Sequence, residues 1–310
     1  MAVIRATDPG QWTQVDDTEY EAYCKEQGID SEKYTTMELL CIAAARQTYD
    51  YSFIFAGTGL PMIGCMMAQH TYAPNALIIM EAGILDPKLL EVPISVSEAR
   101  GGYMCSTLSN MADTFGTFAQ RGFINFGMLG GAECDKYGNL NSTAMGGYYS
   151  KSARDDGKTG PTVRFAGSGG ANNIASYADV GLAMMVQEKR RFPEKNEYVT
   201  SCTGSRGPLG TSEDRYAMGL FRGAGTTIVS DLCIFRSSVE TGELEMAEIY
   251  PGVDEQLVRE NVSWDLKVAK DFKPFEAPGH EEIKIARMVC DPNRIYLGRK
   301  TKRDLAAEEG

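Results

Sequence analysis

One stretch limits the fold more than any other. Residues 51–81 read YSFIFAGTGLPMIGCMMAQHTYAPNALIIME. A short β-rich run ends in a glycine turn. A helix-forming run follows, then the turn APN, then the apolar strand ALIIM. This is strand, turn, helix, strand, the βαβ unit of a parallel sheet. Two parallel strands cannot be joined by a tight hairpin, so the helix is their crossover. The expected fold class is α/β, with a single open, largely parallel sheet flanked by helices.

The rest of the chain repeats the theme. TTMELLCIAAARQT predicts a helix capped by Thr35 or Thr36, with Glu38 in its first turn and Leu39, Leu40, Ala43 and Ala44 on one face. FINFGML, PTVRFAG and DVGLAMMVQ read as further strands. TTIVSDLCIF and GELEMAEIY read as an antiparallel pair joined by RSSVETG. PGVDEQLVREN predicts a helix with Pro251 near its start, and EEIKIARMVCDP another that stops before Pro292. The stretches 148–160 and 201–215 read as surface loops. Neither separates two self-sufficient cores. We expect residues 1–33 to be a polar, acidic extension with one short helix, and residues 34–310 to be one domain.

Composition narrows the function. The chain is 43% hydrophobic, enough to bury a sizeable core. A formal net charge of −11 argues against partners made of nucleic acid or anionic lipid, both of which demand basic surface. No apolar run approaches the roughly 20 residues of a membrane span, and MAVIRATDPGQW lacks the apolar stretch of a secretory signal. The eight cysteines are scattered, without CxxC or a neighbouring histidine. We expect buried, reduced thiols, no metal site and a cytoplasmic location. With only His70 and His280 present, histidine-based mechanisms have few candidates.

Four segments carry possible chemistry. Glu81 ends a buried strand, where open α/β sheets place ligands, and partial burial would strip water from it. Alone, it reads more readily as a capping or salt-bridged glutamate at a strand end. Gly57, Thr58, Gly59, Leu60 and Pro61 form a turn between strand and helix, whose amides could face an anion. Gly167, Ser168, Gly169, Gly170 and Ala171 form a second glycine turn opening a helix. It lacks the GxGxxG fingerprint, so a dinucleotide site is not read there. Its amides could form an oxyanion hole. MLGGAECDKYGNLNST (128–143) is an ordered loop with turn residues Asp135, Gly138 and Asn139.

Taken in order, GTGLP, IIMEAG, LGGAECDKYGNLNST, GSGGANNIAS and QEKRRF resemble the class I coenzyme A transferase family, in its glutaconate-type β subunits. More loosely they resemble the C-terminal half of the 3-oxoacid CoA-transferases. The resemblance covers residues 37–293. It implies that Glu81, within Glu81-Ala82-Gly83, is a nucleophile that forms a covalent glutamyl-CoA thioester. It implies that Gly167–Ala171 bind CoA and build the oxyanion hole, and that Gly57–Pro61 are an active-site loop. The implied substrates are an acyl-CoA and a free carboxylic acid, dicarboxylic or 3-oxo. The implied partner is an α-type subunit in a hetero-oligomer. Coenzyme A enters as substrate, and no metal is required. Three departures stand out: Ala82 in place of serine or asparagine, the long N-terminal extension, and the divergent LDPKLLEVPISVSEARGGYMCSTLSNM. A CoA-thioester hydrolase or decarboxylase on the same fold is the alternative, and a non-catalytic partner subunit is a third reading.

Overall fold

The computed structural model describes residues 8–148, 160–204, 212–223 and 225–309. Most of the 148–160 loop and the centre of the 201–215 loop lie outside the described residues. The chain divides into two compact units, one formed by residues up to Met128 together with Glu276 onward, the other by Leu129–Phe275. Each contains the open α/β sheet with helices that the sequence implies.

In the first unit the strand Phe53–Ala56 lies between two parallel neighbours, Leu77–Ile79 and the start of Phe126–Gly130. Leu77–Ile79 then turns back antiparallel into Ile84–Leu85, which pairs with Thr107–Leu108. The crossover is the helix Leu60–His70, with Pro61 in its first turn. Met62, Ile63, Cys65, Met66, Met67 and Ala68 are fully buried. A helix this apolar on every side belongs inside a core. It packs on Thr36–Ala45, itself buried, where the Cys41 thiol lies 3.8 Å from the Leu60 carbonyl. The Thr35–Glu38 capping box is fully formed, as TTME suggests.

The N-terminal extension is less peripheral than its polarity implies. Its helix Asp17–Gln27 buries Tyr20 and Cys24. The tie is Arg287, 1% exposed, which donates to Tyr20 Oη at 2.8 Å, to the Asp30 carbonyl at 2.9 Å and to Glu38. No apolar periodicity announces this, because the link is polar and spans most of the chain. The helix His280–Ile285 passes into a π-helical stretch, Ala286–Cys290, and stops before Pro292 as expected.

In the second unit Val180–Met185 and Gly225–Ser230 are parallel and buried. TTIVSDLCIF is not one strand. It breaks at Asp231–Leu232 into Gly225–Ser230 and Cys233–Ser237, which pair antiparallel. Ser230 Oγ forces the break by accepting the amides of Leu232 and Cys233. Leu244–Ile249 pairs with Cys233–Ser237 as GELEMAEIY predicts, and the exposed strand Val268–Pro274 closes the edge. The helix Glu255–Glu260 starts after its cap Asp254, so Pro251 precedes it rather than opening it. All eight cysteines are free, and seven are buried. Among the described residues no helix is long and apolar enough to cross a membrane.

Candidate active site

Glu81 stands where the Leu77–Ile79 strand turns back. The turn is tight, with the Gly83 amide donating to the Met80 carbonyl at 3.0 Å and the Met80 amide to the Ile84 carbonyl at 2.9 Å. Gly83 has φ +104°, a region that disfavours any residue with a side chain. A Cβ there would overlap the backbone of Ser109 and Asn110. The Ser109 amide donates to the Gly83 carbonyl at 2.8 Å, so the strand Thr107–Leu108 holds the turn from one side. Asp113 fixes that side in turn, accepting from Ser109 Oγ at 2.7 Å and from Asn110 Nδ2 at 2.8 Å.

The Glu81 side chain is half-buried. Among the described residues its carboxylate has neither a hydrogen-bond donor nor a cation as partner. The capping or salt-bridged role that a strand-end glutamate commonly plays is therefore not the role seen.

Phe55 pairs with Ile79 across the parallel ladder. Gly57 and Glu81 therefore follow the carboxyl ends of two adjacent parallel strands. This is the edge where ligands sit in open α/β sheets. The Gly57 amide donates to the Met128 carbonyl at 3.0 Å, which fixes the start of the Gly57–Pro61 loop. Gly59 has φ +79° and opens the helix Leu60–His70. Its backbone lies against the ring of Tyr296, 3.4 Å from where a Cβ would stand. Glu81 and the Gly57–Pro61 loop thus both leave the first unit's sheet at the C-terminal ends of neighbouring strands.

Gly167–Ala171 belongs to the second unit. Gly167 donates to the Ser142 carbonyl at 2.9 Å, and Ala171 to Ser168 at 2.9 Å. The amides of Ser168, Gly169 and Gly170 have no acceptor among the described residues. They open the helix Ala171–Tyr177, where orphan donors are normal.

The 128–143 loop is organised around Asp135, 1% exposed. Its Oδ1 accepts the amides of Tyr137 and Asn139, each at 3.0 Å. Burial pushes its carboxyl up to about 6, because these amide donors only partly offset the lost water. The group holds the loop together through these amides.

Sequence reasoning missed two features of the Glu81 surroundings. One is the Gly83–Ser109 approach, which only a glycine permits. The other is Tyr296, more than 200 residues from the loop that it touches; no short motif could have linked the two.

An α/β protein with a carboxylate at the carboxyl edge of a parallel sheet, unpartnered among the described residues, is the class this geometry defines. Comparison with known proteins makes it specific. The family model for Coenzyme A transferase matches residues 38–261. The B subunit of glutaconate CoA-transferase from Acidaminococcus fermentans is 35% identical over 273 residues, which is 86% of this chain and 97% of that protein. The B subunit of 3-oxoadipate CoA-transferase from Pseudomonas knackmussii is 30% identical over 256 residues, 83% of this chain and 93% of that one. The crystal structure of glutaconate coenzyme A-transferase from Acidaminococcus fermentans superposes with a TM-score of 0.75 at 33% identity, covering 86% of this chain and 99% of that one. The chain belongs to the coenzyme A transferase family and is of its β-type kind.

Proposed function

We propose that this chain moves CoA from an acyl-CoA to a free carboxylic acid, with Glu81 as the covalent nucleophile. The observation that carries the reading is the carboxylate of Glu81, half-buried, unpartnered among the described residues and fixed by a glycine turn at the carboxyl edge of the sheet.

A Glu81 oxygen attacks the thioester carbonyl and expels CoA thiolate, leaving a mixed anhydride. The thiolate attacks the glutamyl carbonyl and releases the first acid as its carboxylate. The acceptor carboxylate then attacks the glutamyl-CoA thioester and frees the thiolate. The thiolate takes the new acyl group and restores Glu81. Every step exchanges one activated acyl bond for another, so a hard transfer becomes a chain of balanced ones. No general base is consumed, which suits a chain with only two histidines. The role implied for Gly167–Ala171, donation to a thioester oxyanion, suits the free amides of Ser168, Gly169 and Gly170, at about 3 kcal/mol per donor.

An α-type subunit completes the enzyme. Leu90, Ile94, Met104, Leu108 and Met111 are exposed around the segment that flanks the Glu81 turn. Exposed apolar surface of this density marks a protein interface. The acid is of the dicarboxylic or 3-oxo kind, in keeping with the relatives' names, glutaconate and 3-oxoadipate.

The test is to incubate the assembled enzyme with acyl-CoA and no acceptor, then measure the intact mass of this chain. A CoA adduct at Glu81, cleaved by hydroxylamine, is the expected outcome. Glu81→Ala and Glu81→Asp should both abolish it, since the shorter side chain withdraws the carboxylate by about 1 Å from near-attack geometry. Steady release of free CoA without acceptor would instead identify a hydrolase. Undiminished transfer by Glu81→Ala would overturn the proposal.

A further inference from the structure

The sequence from Arg294 to Arg303 holds five cations and no acid, in a chain whose net charge is −11. This run lies beyond residues 38–261, where the family model ends, and the function described so far does not use it. Its structure is built rather than loose. Asp291, 1% exposed, accepts three amides: Ile295 at 2.9 Å, Tyr296 at 2.8 Å and Leu297 at 2.9 Å. Arg294 adopts φ +53° and donates its amide to the Asp291 carbonyl at 2.9 Å. The buried carboxylate therefore fixes the backbone that presents Tyr296.

Tyr296 in turn lies against Gly59, in the loop that leaves the sheet beside Glu81. Over the Tyr296 ring stands the Arg299 guanidinium, 4.7 Å from the centroid. Its Nε donates to the Ile295 carbonyl at 3.2 Å, and it has no carboxylate partner among the described residues. The side chain is exposed. A stacked guanidinium loses less freedom on binding than a free one, and its remaining N–H groups match phosphate geometry two at a time.

We propose that Arg299, stacked on Tyr296 beside the Gly57–Pro61 loop, anchors the phosphate groups of the CoA thioester. The inference rests on the transferase reading above and adds where the substrate's charged end is held. CoA is a polyanion at one end and a thioester at the other. A cation fixed beside the Gly57–Pro61 loop, in an otherwise acidic chain, collects the polyanion and leaves the thioester free to reach the carboxylate. Binding at such a remote group is the energy an enzyme draws on to position the reacting bond. Lys302, exposed and also without an acid partner among the described residues, adds to the same field. Nucleic acid or anionic lipid would need a broader basic face than this chain offers.

The experiment titrates the assembled enzyme with coenzyme A, 3′-dephospho-coenzyme A and pantetheine, for wild type, R299A and R299K. Loss of one charge-assisted contact should weaken coenzyme A binding about 10–100-fold in R299A. R299K should fall between, because lysine keeps the charge and loses the fork. Pantetheine, which lacks the phosphates, should bind all three equally. If 3′-dephospho-coenzyme A retains the dependence on Arg299, the contact is the pyrophosphate; if it loses it, the contact is the 3′-phosphate. Unchanged coenzyme A affinity in R299A overturns the proposal. So does an equal loss for coenzyme A and pantetheine, which would mean a structural role. Failure of the wild-type enzyme to bind any of the three would overturn the transferase reading itself, so the two failures are distinct.

Discussion

Two glutamates of the first unit show how the same side chain is used in opposite ways. Glu38 is fully buried and saturated. Its oxygens accept from Arg287 at 2.9 and 3.0 Å, from Arg294 at 3.4 Å and from the Thr35 amide at 2.8 Å. Glu81 is half-buried and accepts from no described residue. A buried charge survives only when paired and hydrogen-bonded. Glu38 meets that condition and joins the N-terminal extension, the Thr36–Ala45 helix and the C-terminal helix. Glu81 is spared it by its partial exposure, so its oxygens are not tied to architecture. One carboxylate holds the fold; the other has no such structural duty among the described residues.

Breaking the saturated site should produce the largest loss of stability. Glu38→Gln leaves Arg287 buried without its anion, and such uncompensated charges cost about 3–5 kcal/mol. Urea denaturation with far-UV detection measures it. A loss under about 1 kcal/mol would mean that the contacts to Tyr20, Asp30 and Lys33 suffice for Arg287, and the contrast with Glu81 would weaken.

Asp135 falls between the two: buried like Glu38, yet with amide donors instead of a cation. Burial raises its folded carboxyl from 3.8 to about 6. The folded chain therefore holds this proton more tightly than the unfolded chain. The stabilisation is fully present below pH 3.8 and is lost as pH rises through 6, a change on the order of 3 kcal/mol. Asp135→Asn has no such proton to lose. Its stability relative to wild type should improve between about pH 4 and about pH 7 by that order, as read from denaturation curves at both values. A difference independent of pH would show that the surrounding amides stabilise the charged form as fully as Arg287 does for Glu38.

A smaller effect is expected at Gly83. Alanine there meets both an unfavourable φ of +104° and the backbone of Ser109 and Asn110. The cost should be roughly 1–3 kcal/mol. Because the strand Thr107–Leu108 must retreat, the turn carrying Glu81 moves with it. Activity should fall further than stability, and a crystal structure of the variant would show the displaced turn.

What was legible from sequence follows the range of the interactions. The βαβ unit, with its crossover helix, and the capped helix are local patterns of period and turn chemistry, and they form as read. Glu81 was visible because it ends an apolar run inside a recognisable order of motifs. The Ser230 break was harder, since a single hydroxyl accepting two amides turns one apolar run into a hairpin. The Arg287–Glu38 tie and the Asp291 clamp under Tyr296 were invisible for a different reason. Each is a polar contact between segments far apart in the chain, or a buried acid within a polar loop, and neither leaves a periodic trace.

The smallest expected effect on stability is the sharpest test of the opening contrast. Glu81→Gln keeps the volume of the side chain and removes the charge. No described residue donates to Glu81, so no partner is orphaned when the charge goes. Surface changes away from such networks stay within about 0.5 kcal/mol, and Glu81→Gln should do so in the same urea assay. Its transfer rate should nonetheless vanish, because an amide cannot open a thioester and carry the acyl group. A loss of several kcal/mol would mean that Glu81 is held by the fold as Glu38 is. The carboxylate would then be a structural acid that happens to sit at a ligand edge, and its reactivity would need another explanation.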